Sequence, residues 1–183
     1  MNSIADRPTD PHLSIVIPAY NEERRLHDSL VQIADYLSRQ PYTYEVIVSD
    51  DGSTDTTLNL AESFASDHPS LRAVHHPDNH GKGAAVRTGF AAAVGAWVLL
   101  TDADLSAPIE DLATLAPAAA PNGVAVGSRA VDRRLVGTPQ PRHRDLMGRS
   151  FNLVLRALRL TRLGDTQCGF KLFPGDLARA LAA

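Results

Sequence analysis

The sequence has one cysteine, one tryptophan and no long apolar run, and these shortages exclude several classes of protein. Cys168 has no second cysteine to pair with, so an intramolecular disulfide is excluded and a reducing compartment is expected. The longest apolar run, Phe90 to Leu100, is well short of the roughly 20 residues that a membrane-spanning helix needs. The N-terminus lacks the basic-then-apolar pattern of a secretory signal. We therefore expect a cytoplasmic protein, and leave open a peripheral position on the cytoplasmic face of a membrane.

Charge is unevenly distributed, although the formal net charge is only −3. Residues 129–171 carry ten basic and three acidic side chains, whereas residues 1–128 carry seven basic and seventeen acidic ones. A basic segment beside an acidic body indicates an anionic partner, such as phosphates or an anionic membrane surface, or else a solvated arginine-rich face. Nucleic acid is not expected as a partner, because the only aromatic residues of the basic segment are Phe151 and Phe170.

Strand and helix patterns alternate along most of the chain, which predicts an α/β fold with a mostly parallel sheet and helices on both faces. Residues 1–12 are predicted to be a disordered lead-in, and residues 13–183 a single domain. Leu26, Leu30, Ile33 and Leu37 have the spacing of one helical face, and Asn21 is the expected cap of that helix. The predicted strands cover residues 13–17, 44–49, 71–74, 98–100, 124–126 and 170–173. The first predicted helix ends near Arg39, and the second contains residues 58–65. The other predicted helices cover residues 84–94, 108–119, 142–160 and 176–183.

The segment from Val98 to Asp104 is the centre of the functional prediction, because it is a short apolar strand that ends in two carboxylates. Asp102 and Asp104 are two residues apart, so in an extended segment both side chains point the same way. Converging carboxylates repel each other unless a cation neutralises them, and Mg²⁺ or Mn²⁺ prefers such oxygen ligands. The alternative is a turn in which both side chains cap the loop.

Three other features admit a chemical or a structural interpretation. The segment Gly81-Lys82-Gly83 is not a Walker loop, and Lys82 is a candidate phosphate or sugar contact. No histidine is placed by a motif to activate Cys168, which we interpret as structural. His75, His76 and His80 are expected to be solvated rather than metal-binding.

Six motifs occur in the order seen in glycosyltransferase family 2, which the sequence resembles from about residue 13 to residue 174. Within that family it looks like the dolichyl- or polyprenyl-phosphate glycosyltransferases, more the glucosyl branch than the mannosyl branch. The motifs are Ile17-Pro18-Ala19-Tyr20-Asn21-Glu22, Ser49-Asp50-Asp51-Gly52-Ser53-Thr54-Asp55, Asn79-His80-Gly81-Lys82-Gly83, Thr101-Asp102-Ala103-Asp104, Gly127-Ser128-Arg129 and Asp165-Thr166-Gln167-Cys168-Gly169-Phe170-Lys171.

This resemblance implies a GT-A fold, a nucleotide-sugar donor and a Mg²⁺ or Mn²⁺ ion. It implies that Asp51 accepts a hydrogen bond from the base of the donor, and that Asp102 and Asp104 hold the metal, Asp104 more directly. Ser106 stands where the mannosyl branch has a glutamine that can join the metal site, and it is a weaker ligand. The further donor-binding residues implied are Pro18, Ala19, Tyr20, Glu22, Lys82, Ala103, Arg129, Arg142 and Arg144.

The chemistry of such a transfer suits the basic segment. The leaving diphosphate gains charge in the transition state, and a metal ion with arginines stabilises that charge. Arg129 is predicted for this role, while Arg142 and Arg144 could hold the diphosphate or the phosphate of the acceptor. Asp165 is the candidate that orients the acceptor or acts as its base. Residues 130–141 are predicted to be a mobile loop, and a loop beside a phosphate site is a candidate lid.

The preferred hypothesis is a metal-dependent inverting glycosyltransferase that moves glucose from UDP-glucose to a polyprenyl or dolichyl phosphate. The alternatives are GDP-mannose as donor, a glycan hydroxyl as acceptor, and a nucleotide-sugar-binding protein without transfer activity. Family members usually continue well beyond the last motif, so the chain is expected to be either a compact member or one shortened at its C-terminus. The segment from Arg142 to Arg162 is the expected contact with an anionic membrane. The alternative is that the apolar face of this segment packs on the core.

Overall fold

A computed structural model describes residues 11–119, 123–127 and 168–183 of the chain. These residues form a six-stranded sheet in the order β3-β2-β1-β4-β6-β5. Its strands are β1 (Leu13–Ala19), β2 (Tyr44–Asp50), β3 (Leu71–His75), β4 (Trp97–Leu100), β5 (Ala125–Val126) and β6 (Lys171–Pro174). The helices are α1 (Leu26–Ser38), α2 (Thr57–Asp67), α3 (Lys82–Ala92), α4 (Leu112–Leu115) and α5 (Gly175–Ala182), and 3₁₀ turns at Ile109–Asp111 and Ala116–Ala118 flank α4.

The sheet is mostly parallel, as the alternating pattern predicts. Strand β1 pairs in parallel with β2 and β4, and β2 pairs in parallel with β3. Strand β6 is antiparallel to both β4 and β5. In the sheet, β2 and β3 therefore lie on one side of β1, and β4 lies on the other side. The neighbouring carboxyl ends of β1 and β4 lie at a switch point, where ligands bind in open α/β sheets.

Helices cover both faces of the sheet because its central strands are buried on both sides. Strand side chains that point to one face pack with α1 and α2, and those that point to the other face pack with α3 and α5. On the first face, the sheet contributes Leu13, Ile15, Ile17, Val46, Val48 and Leu99. On the second face, it contributes Val16, Ile47, Val98, Leu100 and Phe173.

Helix α1 buries the face that its sequence predicts, but its start is different from the prediction. Leu26, Leu30, Ile33 and Leu37 are each at most 1% exposed, and burying such a side chain contributes about 1.5–3 kcal/mol. The helix begins at Leu26, and Asn21 does not cap it. Asn21 adopts a left-handed backbone conformation (φ 54°), and its side-chain oxygen accepts a hydrogen bond from the Thr54 N–H at 2.9 Å.

Other predicted boundaries are shifted by a few residues. Strands β1 and β2 continue to Ala19 and Asp50, beyond their predicted ends at residues 17 and 49, because pairing between them extends that far. The single helix predicted from residue 108 to about residue 119 is wrong: one turn of α-helix lies between two 3₁₀ turns. Pro117, within the second turn, cannot donate the backbone hydrogen bond that would continue an α-helix.

Gly52 allows the tight turn that follows β2, and we expect Gly52→Ala to destabilise the fold by about 2–3 kcal/mol. Its φ is +70°, and a Cβ there would lie 2.5 Å from the backbone carbon of Asp78. Gly83→Ala is the control, because a Cβ at Gly83 meets nothing within 4 Å in helix α3. This control should stabilise the fold by up to about 1 kcal/mol. Urea unfolding of both variants checks the prediction, and equal stabilities would contradict it.

Within the described ranges, no helix is both long enough and apolar enough to cross a membrane.

Candidate active site

Loops at the carboxyl ends of four parallel strands meet at one edge of the sheet. The backbone N–H of Asp51, after β2, donates to the carbonyl of Ala19 at the end of β1 (2.9 Å). The Lys82 side chain, after β3, pairs with Asp102, after β4 (2.5 Å). The N–H of His80, also after β3, donates to Oδ1 of Asp51 (3.1 Å) and joins these two pairs of loops, so the four loops are continuous.

Asp51 is a buried carboxylate that uses only one of its oxygens. Its side chain is 2% exposed, and Oδ1 accepts hydrogen bonds from the His76 ring (2.8 Å) and the His80 N–H (3.1 Å). No residue in the described part of the chain completes a hydrogen bond to Oδ2, which is also buried. A buried oxygen without a partner is costly, so Oδ2 is suited to a donor group on a ligand.

The environment of Asp51 favours its ionised form. Burial raises the pKa of the carboxyl group, but hydrogen bonds from His76 and from nearby backbone N–H groups outweigh burial and hold that pKa below its usual range. The ionised form therefore stabilises the folded state. This contribution is complete above about pH 4, the pKa of an unfolded aspartate, and is lost as the pH falls through the lower folded-state pKa.

We expect the stability advantage of the wild-type chain over Asp51→Asn to shrink as the pH falls from about 5 to about 2. The asparagine carries no charge at any pH, so it lacks the pH-dependent part of the stabilisation. Urea titrations of both proteins across this range measure the difference in free energy of unfolding. A difference that stays constant with pH would contradict the assigned charge state.

His76 is the main correction to the predicted site, because it is not a solvated histidine. Its side chain is only 16% exposed, with Nδ1 on Asp51 and Nε2 2.7 Å from the Thr88 hydroxyl of α3. His75 makes a similar but more exposed contact, with Nδ1 3.2 Å from Oδ2 of Asp50. His80 is exposed, as predicted, and contributes its backbone N–H.

The loop after β1 is attached to the loop after β2. The N–H of Glu22 donates to the Thr57 hydroxyl (2.8 Å), and the N–H of Asn21 donates to the Ser53 hydroxyl (3.0 Å). Pro18 and Ala19 are buried at the end of β1, whereas Tyr20 is 44% exposed beside them. The predicted nucleoside-pocket residues thus lie next to Asp51, with the Tyr20 ring available to a ligand.

Asp102 and Asp104 lie on a turn, so the prediction of an extended backbone at these two residues is wrong. Leu105 has φ 44°, and its N–H donates to the Asp102 carbonyl (3.1 Å), which closes the turn. One oxygen of Asp104 accepts from the N–H and the hydroxyl of Ser106. Asp104 thus makes the loop-capping contact that was the alternative interpretation, yet both carboxylates stay partly exposed at the strand end.

Each carboxylate is paired with a basic side chain. Lys82 is bound to Asp102, while Arg25 lies 3.6 Å from the second oxygen of Asp104 and also contacts Glu22. Arg25 carried no signal in the sequence, since it lies outside the motifs. The pairs offset the repulsion between neighbouring carboxylates.

The last motif also reaches this site. A Cβ at Gly169 would collide with the carboxylate of Asp102, so the backbone there packs directly against it. Cys168 is buried beside this contact, in keeping with a structural role. Ala103 is buried too, and its side chain packs in the core on the first face of the sheet. Its carbonyl accepts a hydrogen bond from the Ser29 hydroxyl.

The oxygen atoms of Asp102 and Asp104 fit a hard divalent cation. Both side chains are about one-third exposed, and their ligand chemistry matches Mg²⁺ or Mn²⁺. No group of three or more His, Cys, Asp or Glu that could hold a metal occurs in residues 11–119, 123–127 and 168–183. A metal here would take its remaining ligands from phosphate oxygens or water.

Arg129, Arg142, Arg144 and Asp165 lie outside the described residues, as do the predicted loop 130–141 and the predicted helix 142–160.

Comparisons with known proteins identify the family and the fold of this chain. The family model described as "Glycosyl transferase family 2" matches residues 14–180. A dolichyl-phosphate beta-glucosyltransferase of Drosophila melanogaster is 36% identical over 194 residues, covering 98% of this chain and 59% of that protein. The Homo sapiens protein of the same name is 35% identical over 190 residues, covering 96% of this chain and 58% of its own length.

Two solved structures extend the comparison to the fold. Glucosyl-3-phosphoglycerate synthase from Mycobacterium tuberculosis, in complex with UDP, has a TM-score of 0.64 and 25% identity, over 90% of this chain and 57% of that one. A mannosyltransferase from Pyrobaculum calidifontis, in complex with GDP-Man and Mn²⁺, has a TM-score of 0.55 and 30% identity, over 70% and 39%.

The parallel sheet, its switch point and the carboxylates at its edge define an α/β protein of the GT-A class, as these structures confirm. The chain belongs to glycosyl transferase family 2. It spans little more than half the length of the curated relatives it matches.

Proposed function

We propose that this chain binds a nucleotide-sugar donor and transfers glucose from UDP-glucose to dolichyl or polyprenyl phosphate, with inversion at the anomeric carbon. The observation that carries the proposal is the position of Asp51, with an unpartnered buried oxygen, at the same sheet edge as Asp102 and Asp104. The names of the relatives, dolichyl-phosphate beta-glucosyltransferases, support this donor sugar and this acceptor.

The donor would lie across the switch point between β1 and β4. Oδ2 of Asp51 would accept the N–H of the base, and Tyr20, with Pro18, Ala19 and Glu22, would line the nucleoside pocket. Lys82 would contact the diphosphate after leaving Asp102. Asp102 and Asp104 would hold Mg²⁺ or Mn²⁺, which when bound would neutralise charge on the diphosphate. Ala103 would contact the donor through its backbone, because its side chain is buried.

The reaction would place few demands on a base. A lipid phosphate is already ionised near pH 7, so its oxygen can form the bond to C1 of glucose while the bond from C1 to the UDP oxygen breaks. Arg129, Arg142 and Arg144 remain proposed contacts of the phosphates, and Asp165 remains the proposed residue that orients the acceptor. A glycan hydroxyl as acceptor would instead need Asp165 as a true base.

GDP-mannose is a second candidate donor. The structure of the Pyrobaculum mannosyltransferase with GDP-Man and Mn²⁺ supports it, since that protein is 30% identical to this chain over the aligned part. Guanine and uracil both carry a ring N–H that can donate a hydrogen bond to a carboxylate such as Asp51. The relatives that cover nearly all of this chain favour glucose.

A contact with an anionic membrane surface would follow from a lipid acceptor. The basic segment over residues 129–171 is the proposed surface, because it carries ten basic side chains. A position on the cytoplasmic face of a membrane belongs to the same proposal.

A transfer assay tests the proposal. The purified chain is incubated with UDP-glucose or GDP-mannose, Mn²⁺ and dolichyl phosphate in detergent, and the lipid product is detected by mass spectrometry. We expect glucosyl phosphate-linked lipid from UDP-glucose and none without Mn²⁺. Mannosyl lipid alone would establish the second candidate, and donor binding without any transfer would favour a nucleotide-sugar-binding protein.

A further inference from the structure

The side chain that holds Asp51 belongs to His76, which lies outside the six motifs. His76 follows the last residue of β3, and its Nδ1 lies 2.8 Å from Oδ1 of Asp51. Its Nε2 lies 2.7 Å from the hydroxyl of Thr88, which belongs to α3. The ring thus bridges the loop after β2 and the helix that packs on the second face of the sheet.

The two contacts of the ring determine where its proton lies. A carboxylate only accepts hydrogen bonds, so Nδ1 carries a hydrogen and donates it to Asp51. The hydroxyl of Thr88 can donate to Nε2 or accept from it, so the second contact is satisfied as well. With the backbone N–H of His80 on the same oxygen, Oδ1 of Asp51 is fully engaged. Oδ2 is the oxygen that remains for a ligand.

We propose that His76 is a positioning residue for donor recognition, which keeps the Asp51 carboxylate oriented so that Oδ2 receives the N–H of the donor base. This inference rests on the proposed function, because it assigns a supporting residue to the proposed base contact. In this role His76 would act through Asp51 and would itself touch neither the donor nor the reacting atoms. Thr88 supports His76 in turn, by holding Nε2.

Three substitutions separate this role from simple packing. His76→Asn places an amide N–H near the position of Nδ1 and retains the donor to Asp51. His76→Leu fills a similar volume but has no donor. His75→Leu is the matched control. His75 and Asp50 each precede His76 and Asp51 by one residue, and they make the same kind of contact.

The measurement is the Kd of UDP by calorimetry, with Mn²⁺ present, for variants whose folding is checked by circular dichroism. We expect His76→Leu to weaken UDP binding about tenfold, and His76→Asn and His75→Leu to remain within about threefold of the wild-type Kd. Long-range ¹H–¹⁵N spectra of the histidine rings should show the hydrogen of His76 on Nδ1. These results together support the assignment.

Two results would overturn it: a wild-type Kd for His76→Leu, or equal losses for His76→Asn and His76→Leu. A hydrogen found only on Nε2 of His76 would overturn it as well. If the folded wild-type chain binds no UDP, the proposed function itself fails, and this outcome is distinct from the failure of the role of His76.

Discussion

Asp104→Ala is expected to abolish the metal-dependent part of donor binding while the fold survives. Asp104 is partly exposed, and its contacts are with Ser106 of its own turn and with Arg25, so its loss leaves the core intact. Losing one of two carboxylate ligands should weaken donor affinity in Mn²⁺ at least about 100-fold, which corresponds to about 2.7 kcal/mol. Calorimetry with UDP-glucose, with and without Mn²⁺, measures the effect.

A matched control separates the loss of a ligand from the loss of a surface charge. Asp35 also pairs with an arginine, Arg39, at an exposed position on α1. Asp35→Ala removes the same charge far from the strand ends and should leave the Mn²⁺-dependent affinity unchanged. An Asp104→Ala chain that binds the donor with unchanged Mn²⁺ dependence would remove Asp104 from the metal site.

Asp51→Asn is expected to weaken donor binding by about 100-fold, whether or not Mn²⁺ is present. The change removes a buried charged acceptor, and a hydrogen bond to a charged group contributes about 1.5–3 kcal/mol. It also places an amide N–H₂ where the base offers its own N–H. Affinity for UDP should fall, while affinity for inorganic diphosphate, which has no base, should not.

Asp50→Asn provides the control for this second prediction. Asp50 is fully buried beside Asp51 and also has one oxygen without a hydrogen-bond partner among the described residues. Its other oxygen accepts the Ser53 N–H and contacts His75. We expect Asp50→Asn to lower the free energy of unfolding and to leave the UDP affinity within about threefold. A larger loss of affinity for Asp50→Asn than for Asp51→Asn would show that Asp50, not Asp51, binds the base.

The parts of the fold that depend on local pattern could be predicted from the sequence. The apolar spacing of Leu26, Leu30, Ile33 and Leu37 identified the buried face of α1, because helical geometry alone aligns those positions. The alternation of strands and helices similarly predicted the parallel sheet. The position of Asp102 and Asp104 at the sheet edge could be predicted because parallel strands bring their carboxyl ends to one edge.

The side-chain contacts within the site could not be predicted, because they join residues far apart in sequence. Asn21 was expected to cap α1, but Thr54 lies 33 positions away and offers its N–H to the same side chain. His76 was expected in solvent, and the pairing of β2 with β3 places it beside Asp51 instead. One signal was available: two aspartates and two histidines stand at the ends of strands that are neighbours in the sheet.

The turn at Asp102 and Asp104 shows why spacing alone was insufficient there. The prediction assumed an extended backbone, whereas the Asp102 carbonyl accepts from the Leu105 N–H and bends the chain. The two carboxylates are then neutralised separately, by Lys82 and by Arg25. A cation held by both carboxylates, as proposed, would compete with these two ion pairs and would free Lys82 for the proposed contact with the diphosphate.

We propose a metal-dependent nucleotide-sugar site at the carboxyl ends of β1, β2 and β4. Calorimetric titration of the folded chain with UDP-glucose and with GDP-mannose, each with and without Mn²⁺, tests it most directly. We expect UDP-glucose to bind more tightly than GDP-mannose, and to bind tightly only with Mn²⁺. Binding of neither donor, or equal binding with and without the metal ion, would contradict the proposed site.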